Sequence, residues 1–339
     1  MSFKRFDPED LVVSAESITQ AAWEGSAPTL TTFFTSSAQV DANTGKYYYN
    51  IYAANPATNA SASVQFGIAY ADLKGSGSTD FNALVPGVGA SRVIYGQYRT
   101  LVLGDENSQF IFGDATGSYF HALSIERSVY REKLFTGFNL VLSGSATMSE
   151  LHLTDNSNDV SSITFNDAGR VYQVVSGSNG SAYSGNGYTN ASASYGLFLP
   201  DIGTILLNTE ALSGSAAQGG INLSSSRVSN ADGKNPQYLY DHLKGTGGSF
   251  TLRSEETLTS DFVFVRARNS EFNYTENPSY ISGSTGELIY PILVDSPQTY
   301  ISSVGLYNDN NECVAVAKLS KPLQKDFTKE LLLRVKLDF

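Results

Sequence analysis

The chain closes on "ELLLRVKLDF", in which Leu331, Leu333, Val335, Leu337 and Phe339 alternate with Leu332, Arg334, Lys336 and Asp338. A period of two suits a pleated strand, whose successive side chains point to opposite faces; a helix needs a period of 3.6. Five apolar side chains on one face contribute roughly 1.5–3 kcal/mol each when fully buried. That is too much to leave in water. The run is therefore expected to lie in a sheet, of this chain or of a neighbour, where most chains end in a few polar, loosely held residues.

The same alternation recurs upstream. Val64, Phe66, Ile68 and Tyr70 alternate in "ASVQFGIAYADL", and "YYYNIYAA" precedes it. "LTTFFTSSAQV" also reads as a strand, with "DANTG" as a turn. "FNLVLSG", "SELHLTD", "SSITFND" and "RVYQVVSG" follow in quick succession, then the apolar pair within "LFLPDIGTILLN". "DFVFVRAR", "GELIYPILV", "TYISSVGLYN" and "CVAVAKL" crowd the last third, with "NDNNE" as a hairpin connection. Only 16% of residues are charged, while 20 Tyr, 19 Phe and 30 Gly are present. That balance favours strands joined by tight turns, and low charge favours association.

Helical signals are few. Asp7 and Pro8 resemble a cap and first turn, followed by Leu11, Ala15, Ile18 and Ala22 at helical spacing, although "LVVSAESIT" also reads as extended. "SRVIYGQYRTLVL" sets Ile94, Tyr98 and Leu101 on one side, and "SIERSVYREKLF" carries Ile125, Val129 and Glu132 at helical spacing. "NPQYLYDHLKG" is expected to be capped by Asn235, with Gly245 closing it. The expected fold is mainly β with a minor α+β character: antiparallel, sandwich-like domains with a few short helices. Its divisions are an N-terminal arm with a short helix (1–30), a meander plus helices (31–137), a β-rich, loop-rich middle domain (138–250) and a C-terminal antiparallel β domain (251–339).

Chemistry-bearing motifs are scarce. His121, His152 and His242 are scattered without metal-ligand spacing, and no zinc or other metal is expected. Cys313 sits between apolar neighbours and reads as a small core residue; as the single cysteine it forms no intrachain disulfide. "GSGS" at 75–78 reads as a linker. Asp155, Ser157 and Asp159 resemble the start of a calcium loop but lack its glycine and distal glutamate, so a turn with Asx hydrogen bonds is expected. Glu255 and Glu256 point to opposite faces of a strand and cannot pair as glycosidase acids. The tyrosines of "YYYNIY" and of the loop at 181–195 read as sheet packing before glycan binding. No catalytic residue and no cofactor is expected.

Net charge is −11, which argues against nucleic acid, and no stretch has the length of a membrane span. The start, "MSFKRFDPEDLVVSAESITQ", carries Lys4 and Arg5 but no apolar region behind them, so it does not read as a signal peptide. The tail is locally basic: Lys318, Lys321, Lys325, Lys329, Arg334 and Lys336 outnumber Asp326, Glu330 and Asp338. It is either a solvated strand face or a docking strip for an acidic partner. The candidate assembly contacts are Lys321, Lys325, Lys329, Leu331, Leu333, Val335, Leu337 and Phe339.

The segment from "LRSEETLTSDFVFVRARNSEF" to "LLLRVKLDF" resembles a C-terminal region of virion structural proteins of contractile-tailed phages, marine and cyanobacterial myoviruses especially. "MSFKRFDPEDLVVSAESITQAAW" and "ITFNDAGRVYQVVSGSNG" resemble such proteins too, and "VGLYNDNNECVAVAKLSKP" is similar to β modules that join tail parts. The resemblance implies a structural subunit of the tail baseplate or wedge region, assembled in the host cytoplasm into the virion. Its partners are other tail or baseplate proteins in a symmetric homo- or hetero-oligomer, and it carries no catalytic residues. A tail-fibre or receptor-binding module is the alternative, and a virion-borne glycan hydrolase ranks last.

Overall fold

The computed structural model describes residues 4–36, 47–79, 81–85, 87–144, 150–184, 189–223, 233–275 and 277–338. The chain forms two compact units: Ile18–Glu256, and Met1–Ser17 together with Thr257–Phe339. It is mainly antiparallel β, as the alternation predicts. The division differs from the expected one. Residues 31–137 and 138–250 share one sheet, because strands on both sides of that boundary hydrogen-bond to each other.

In chain order the strands begin with β1 (Leu11–Ala21), β2 (Thr29–Leu30), β3 (Tyr48–Tyr52) and β4 (Val64–Asp72). Helix α1 (Ala90–Leu103) precedes β5 (Phe110–Phe112), β6 (Ala115–Gly117), β7 (Tyr119–Ile125) and β8 (Lys133–Leu134). Next come β9 (Asn139–Leu142), β10 (Leu151–Asp155), β11 (Thr164–Asn166), β12 (Gly169–Ser178), β13 (Ser181–Ala182), β14 (Gly196–Leu199) and β15 (Thr204–Asn208). Helices α2 (Thr209–Ser213) and α3 (Asn235–Lys244) lead to β16 (Ser249–Thr251) and β17 (Arg253–Ala267). A single turn, α4 (Ile292–Asp295), precedes β18 (Gln298–Tyr307), β19 (Cys313–Asp326) and β20 (Leu331–Asp338).

The larger unit is built on a sheet ordered β2-β16-β9-β10-β12-β14-β15-β7-β4-β3. Its central strands are apolar on both sides. On β15, Ile205 and Leu207 enter one core while Leu206 enters the other; on β7, Leu123 and Phe120 divide in the same way. The first core gathers Trp23, Phe66, Phe138, Phe198 and Phe250; the second packs Tyr95 of α1 against Phe110, Phe112 and Phe120. Trp23 is 1% exposed, and its indole N–H donates to the Phe250 carbonyl at 2.7 Å. The tight β14–β15 connection needs Gly203 at φ 65°, where an added Cβ would meet the Tyr130 ring and hydroxyl at 2.5–2.6 Å.

Several local expectations are corrected. The N-terminal arm is a strand. Asp7 caps only the short turn Pro8–Asp10, and the β-branched Val12, Val13, Ile18 and Thr19 then run extended beside β17. The helix expected from "SIERSVYREKLF" does not form. Ile125 ends β7 opposite Phe66, and Arg127 folds back to donate to the Tyr130 carbonyl and cover its ring. In α1 the buried stripe is Ser91, Tyr95, Arg99 and Val102, leaving Leu101 exposed, because the Tyr95 hydroxyl reaches the Gly117 carbonyl at 2.9 Å. "GSGS" packs against the start of α1, where the Ser91 hydroxyl donates to the Ser76 carbonyl at 2.9 Å. Lys234 is the cap of α3, while the Asn235 amide donates to the Gly77 carbonyl at 3.0 Å. "GELIYPILV" holds an Ile281–Leu288 bridge and then α4, since Pro291 presets a helical φ. Of "LTTFFTSSAQV", Leu30 ends β2 and Phe34 bridges Tyr52. Its tail and "DANTG" lie outside the described residues.

In the smaller unit β17 is the middle strand of the path β1-β17-β20; the start of β17, at Ser254 and Glu255, pairs β8 within the larger unit. Its register with β20 runs from Ser260↔Asp338 to Ala267↔Leu331. β18 and β19 form a separate antiparallel hairpin across "NDNNE". Asn308 shapes that connection by accepting from the Asn310 and Glu312 N–H groups at 3.0 and 2.9 Å.

Candidate assembly surface

The terminal alternation has a specific use. Leu333 and Val335 are 9% and 8% exposed, whereas Leu332 is 60% exposed. Val335, Val263 and Leu306 form a small core, bordered by Val265, Val304, Ala315, Ala317 and Leu337. The strand's apolar face, expected as a contact for a neighbour, is therefore engaged within its own unit. Leu331 is half-buried at the end of the same row. Phe339 lies outside the described residues.

The three lysines do not form one strip. Lys321 is exposed, and Lys329 pairs with Asp326 at 3.3 Å. Lys325 is 0% exposed. Its ammonium donates to the Asn269 carbonyl (3.1 Å), the Asn273 side-chain oxygen (2.7 Å) and the Asp326 carbonyl (2.8 Å). A buried cation needs such partners, and three acceptors match its three protons. Lys325 is thus a structural tie between β19 and the 269–273 turn, which corrects its reading as a docking residue.

The sequence reading overlooked the opposite face of β17–β20. Register sets Phe262 beside Lys336, Phe264 beside Arg334 and Arg266 beside Leu332, a chequer of large apolar and basic side chains. The Arg334 guanidinium lies 5.3 Å from the centre of the Phe262 ring. The signal was present in "DFVFVRAR", whose second set of alternate residues is Phe262, Phe264 and Arg266.

β1 is the other element that reading undervalued. Within the smaller unit its residues Leu11–Ser17 are all exposed, with Leu11 at 49%, Val12 at 47% and Val13 at 62%. Among the described residues it is an edge strand, bonded to β17 alone. Its one ionised residue is Glu16, and the segment before it mixes Lys4 and Arg5 with Asp7 and Glu9. The hairpin adds exposed Tyr300, Val314 and Val316. A shallow cleft of about 1410 Å³ in the same unit is bordered by Lys4, Arg266, Tyr274, Asn277, Tyr307 and Asp309. Lys4 donates there to the Arg266 carbonyl at 2.6 Å and to Glu271 at 3.2 Å.

The remaining candidates resolve into structural roles. His121 is fully buried. Its Nε2 donates to the Asn235 carbonyl at 2.9 Å, so Nδ1 accepts from the Thr209 hydroxyl at 2.7 Å. Burial lowers its pKa to about 4. His242 bonds the Ser143 carbonyl, and His152 lies 3.4 Å from Glu150. Asp155 is buried and accepts from the Gly137, Phe138 and Ser157 N–H groups, while Asp159 accepts from Ala182 N–H. Both anchor turns. Glu256 pairs with Arg131 at 3.2 Å, and Glu255 lies 3.7 Å from Arg170. Tyr49 is buried and stacks on Tyr240 at 5.7 Å. Cys313 is exposed, correcting its expected place in the core: it shares the alternate row of Ala315 and Ala317 but starts β19 beyond the register shift at Tyr307, past the end of the small core. Among the described residues no helix is long and apolar enough to cross a membrane.

No protein-family model matches the chain, no curated protein matches it, and no solved structure matches it.

Proposed function

We propose that this chain is a structural subunit of a contractile phage tail, in the baseplate or wedge region, and that it works through protein–protein contacts without bond-making chemistry of its own. The observation that carries the assembly role is the imbalance of the smaller unit. Its buried apolar residues are Val263, Ala267, Leu306, Leu333 and Val335, while Leu11, Val12, Val13, Tyr274, Ile292, Val294, Tyr300, Val314, Val316, Phe327 and Leu332 stand exposed. A unit with so little core gains little from hydrophobic burial against the entropy of ordering its chain. Contact with neighbours supplies the missing burial, and repeated contacts in a symmetric particle add up. The virion, and the tail within it, come from the sequence resemblance.

The test is purification of contractile-tailed particles that carry this chain, followed by an electron-microscopy map. The subunit is expected in multiples of three or six, resistant to salt, with the smaller unit covered. Its absence from washed particles would remove the proposal. A free chain that blocks infection would instead favour the receptor-binding reading, with the cleft beside Tyr274 and Tyr307 as the contact region.

A further inference from the structure

The smaller unit's sheet ends in two open strands that differ in charge. Among the described residues, β1 on one side is bonded to β17 and to no other strand, and β20 on the other is also bonded to β17 alone. Exposed edges invite pairing, and proteins that avoid it place proline, lysine or bulges along them. β1 uses none of these devices. Its sequence, LVVSAESITQA, has no proline and no lysine, and its Leu11, Val12 and Val13 are exposed. Its only ionised side chain is Glu16; Lys4, Arg5, Asp7, Glu9 and the buried Asp10 precede it. The β20 edge carries Arg334 and Lys336, both exposed, against one acid of its own, Asp338, with Glu330 just before it.

We infer that copies of this chain join head to tail, with the β1 edge of one copy extending the sheet at the β20 edge of the next. Charge selects this arrangement over the symmetric ones. Joining β1 to β1 brings together two strands whose one ionised residue is Glu16, with no base in either, and joining β20 to β20 sets Arg334 and Lys336 against their own kind. The mixed pairing brings acid to base. Main-chain hydrogen bonds supply the affinity, as in strand addition generally, and Leu11, Val12 and Val13 gain cover. Such an interface is heterologous: each copy keeps one open edge of each kind, so association continues until a ring closes. The inference rests on the reading of the smaller unit as an assembly module, and names its partner as a second copy.

The experiment measures the mass of the full-length chain by sedimentation velocity at micromolar concentration. Wild type is expected as a multimer. Val12→Lys/Val13→Lys blocks the β1 edge and Arg334→Glu/Lys336→Glu blocks the β20 edge, so each variant alone is expected as a monomer. Each still owns one native edge. Mixing the two is therefore expected to give a 1:1 dimer that grows no further. Amide exchange at Val263 and Val265 reports whether the unit is folded. Val13→Lys and Arg334→Glu replace any double variant that loses this protection.

A wild-type monomer, a blocked variant that keeps the wild-type mass, or two folded variants that do not pair would each overturn the inference. A wild-type monomer that still incorporates into particles would leave the assembly reading standing. A chain that multimerises but is missing from particles would sink the tail role alone.

Discussion

The Lys325 ammonium donates to the Asn273 side-chain oxygen at 2.7 Å inside the smaller unit. A lysine drawn into a basic tail by its sequence neighbours thus serves as an internal fastening. Lys325→Met removes this bond and those to the Asn269 and Asp326 carbonyls. Orphaned acceptors and a lost charge-assisted bond cost about 2–4 kcal/mol. Lys321→Met, at an exposed position, is expected within about 0.5 kcal/mol of wild type. Urea midpoints followed by amide exchange in β17 and β19 check both, and equal midpoints for the two variants would refute the structural role.

Deleting residues 331–339 strips β20 from β17 and removes Leu333, Val335 and Leu337 from the small core. Val263 and Val265 are expected to lose exchange protection. Trp23, the single tryptophan, reports on the other unit, where it is buried beside Phe66 and Phe250. Its unfolding midpoint is expected to move by no more than about 0.5 kcal/mol, the level at which distant sites act independently. Retained protection at Val263 would contradict the paired strand.

His121 makes stability depend on pH with a defined sign. Its folded pKa is about 4 against an ordinary 6.5, so the unfolded chain takes up the proton first as pH falls. Stability is complete above pH 6.5 and declines towards pH 4, by roughly 3 kcal/mol in all. Asp155 has the opposite sense. Burial raises its pKa, so its contribution is complete below the ordinary carboxylate value and lost as pH rises through the folded one. Thermal midpoints at stepped pH values check this. His121→Gln should flatten the slope between pH 6.5 and 4, and an unchanged slope would assign it elsewhere.

Cys313, exposed at the start of β19, is expected to react completely with a thiol reagent in the native chain. Modification that waits for denaturant would return it to the core.

Alternation alone determined much of the fold. The pairs β3–β4 and β14–β15, the four strands β9 to β12, the β18–β19 hairpin and the inward row of β20 follow from period-two patterns and turn residues. Local chemistry also marked α1 and α3, whose runs end at Gly104 and Gly245. Tertiary structure decided what local pattern leaves open. Whether Leu11–Ala21 coils or extends depends on β17 lying beside it, more than 230 residues away in sequence. Whether Lys325 faces water or three acceptors depends on the 269–273 turn. Where the inward row of β19 stops meeting a core depends on Leu306, Val263 and Val335; Cys313 belongs to that row but lies past it, at the register shift beside Tyr307, and so is exposed. Periodicity records which side chains share a face; only the folded chain fixes what that face meets, because partners distant in sequence carry no local signal.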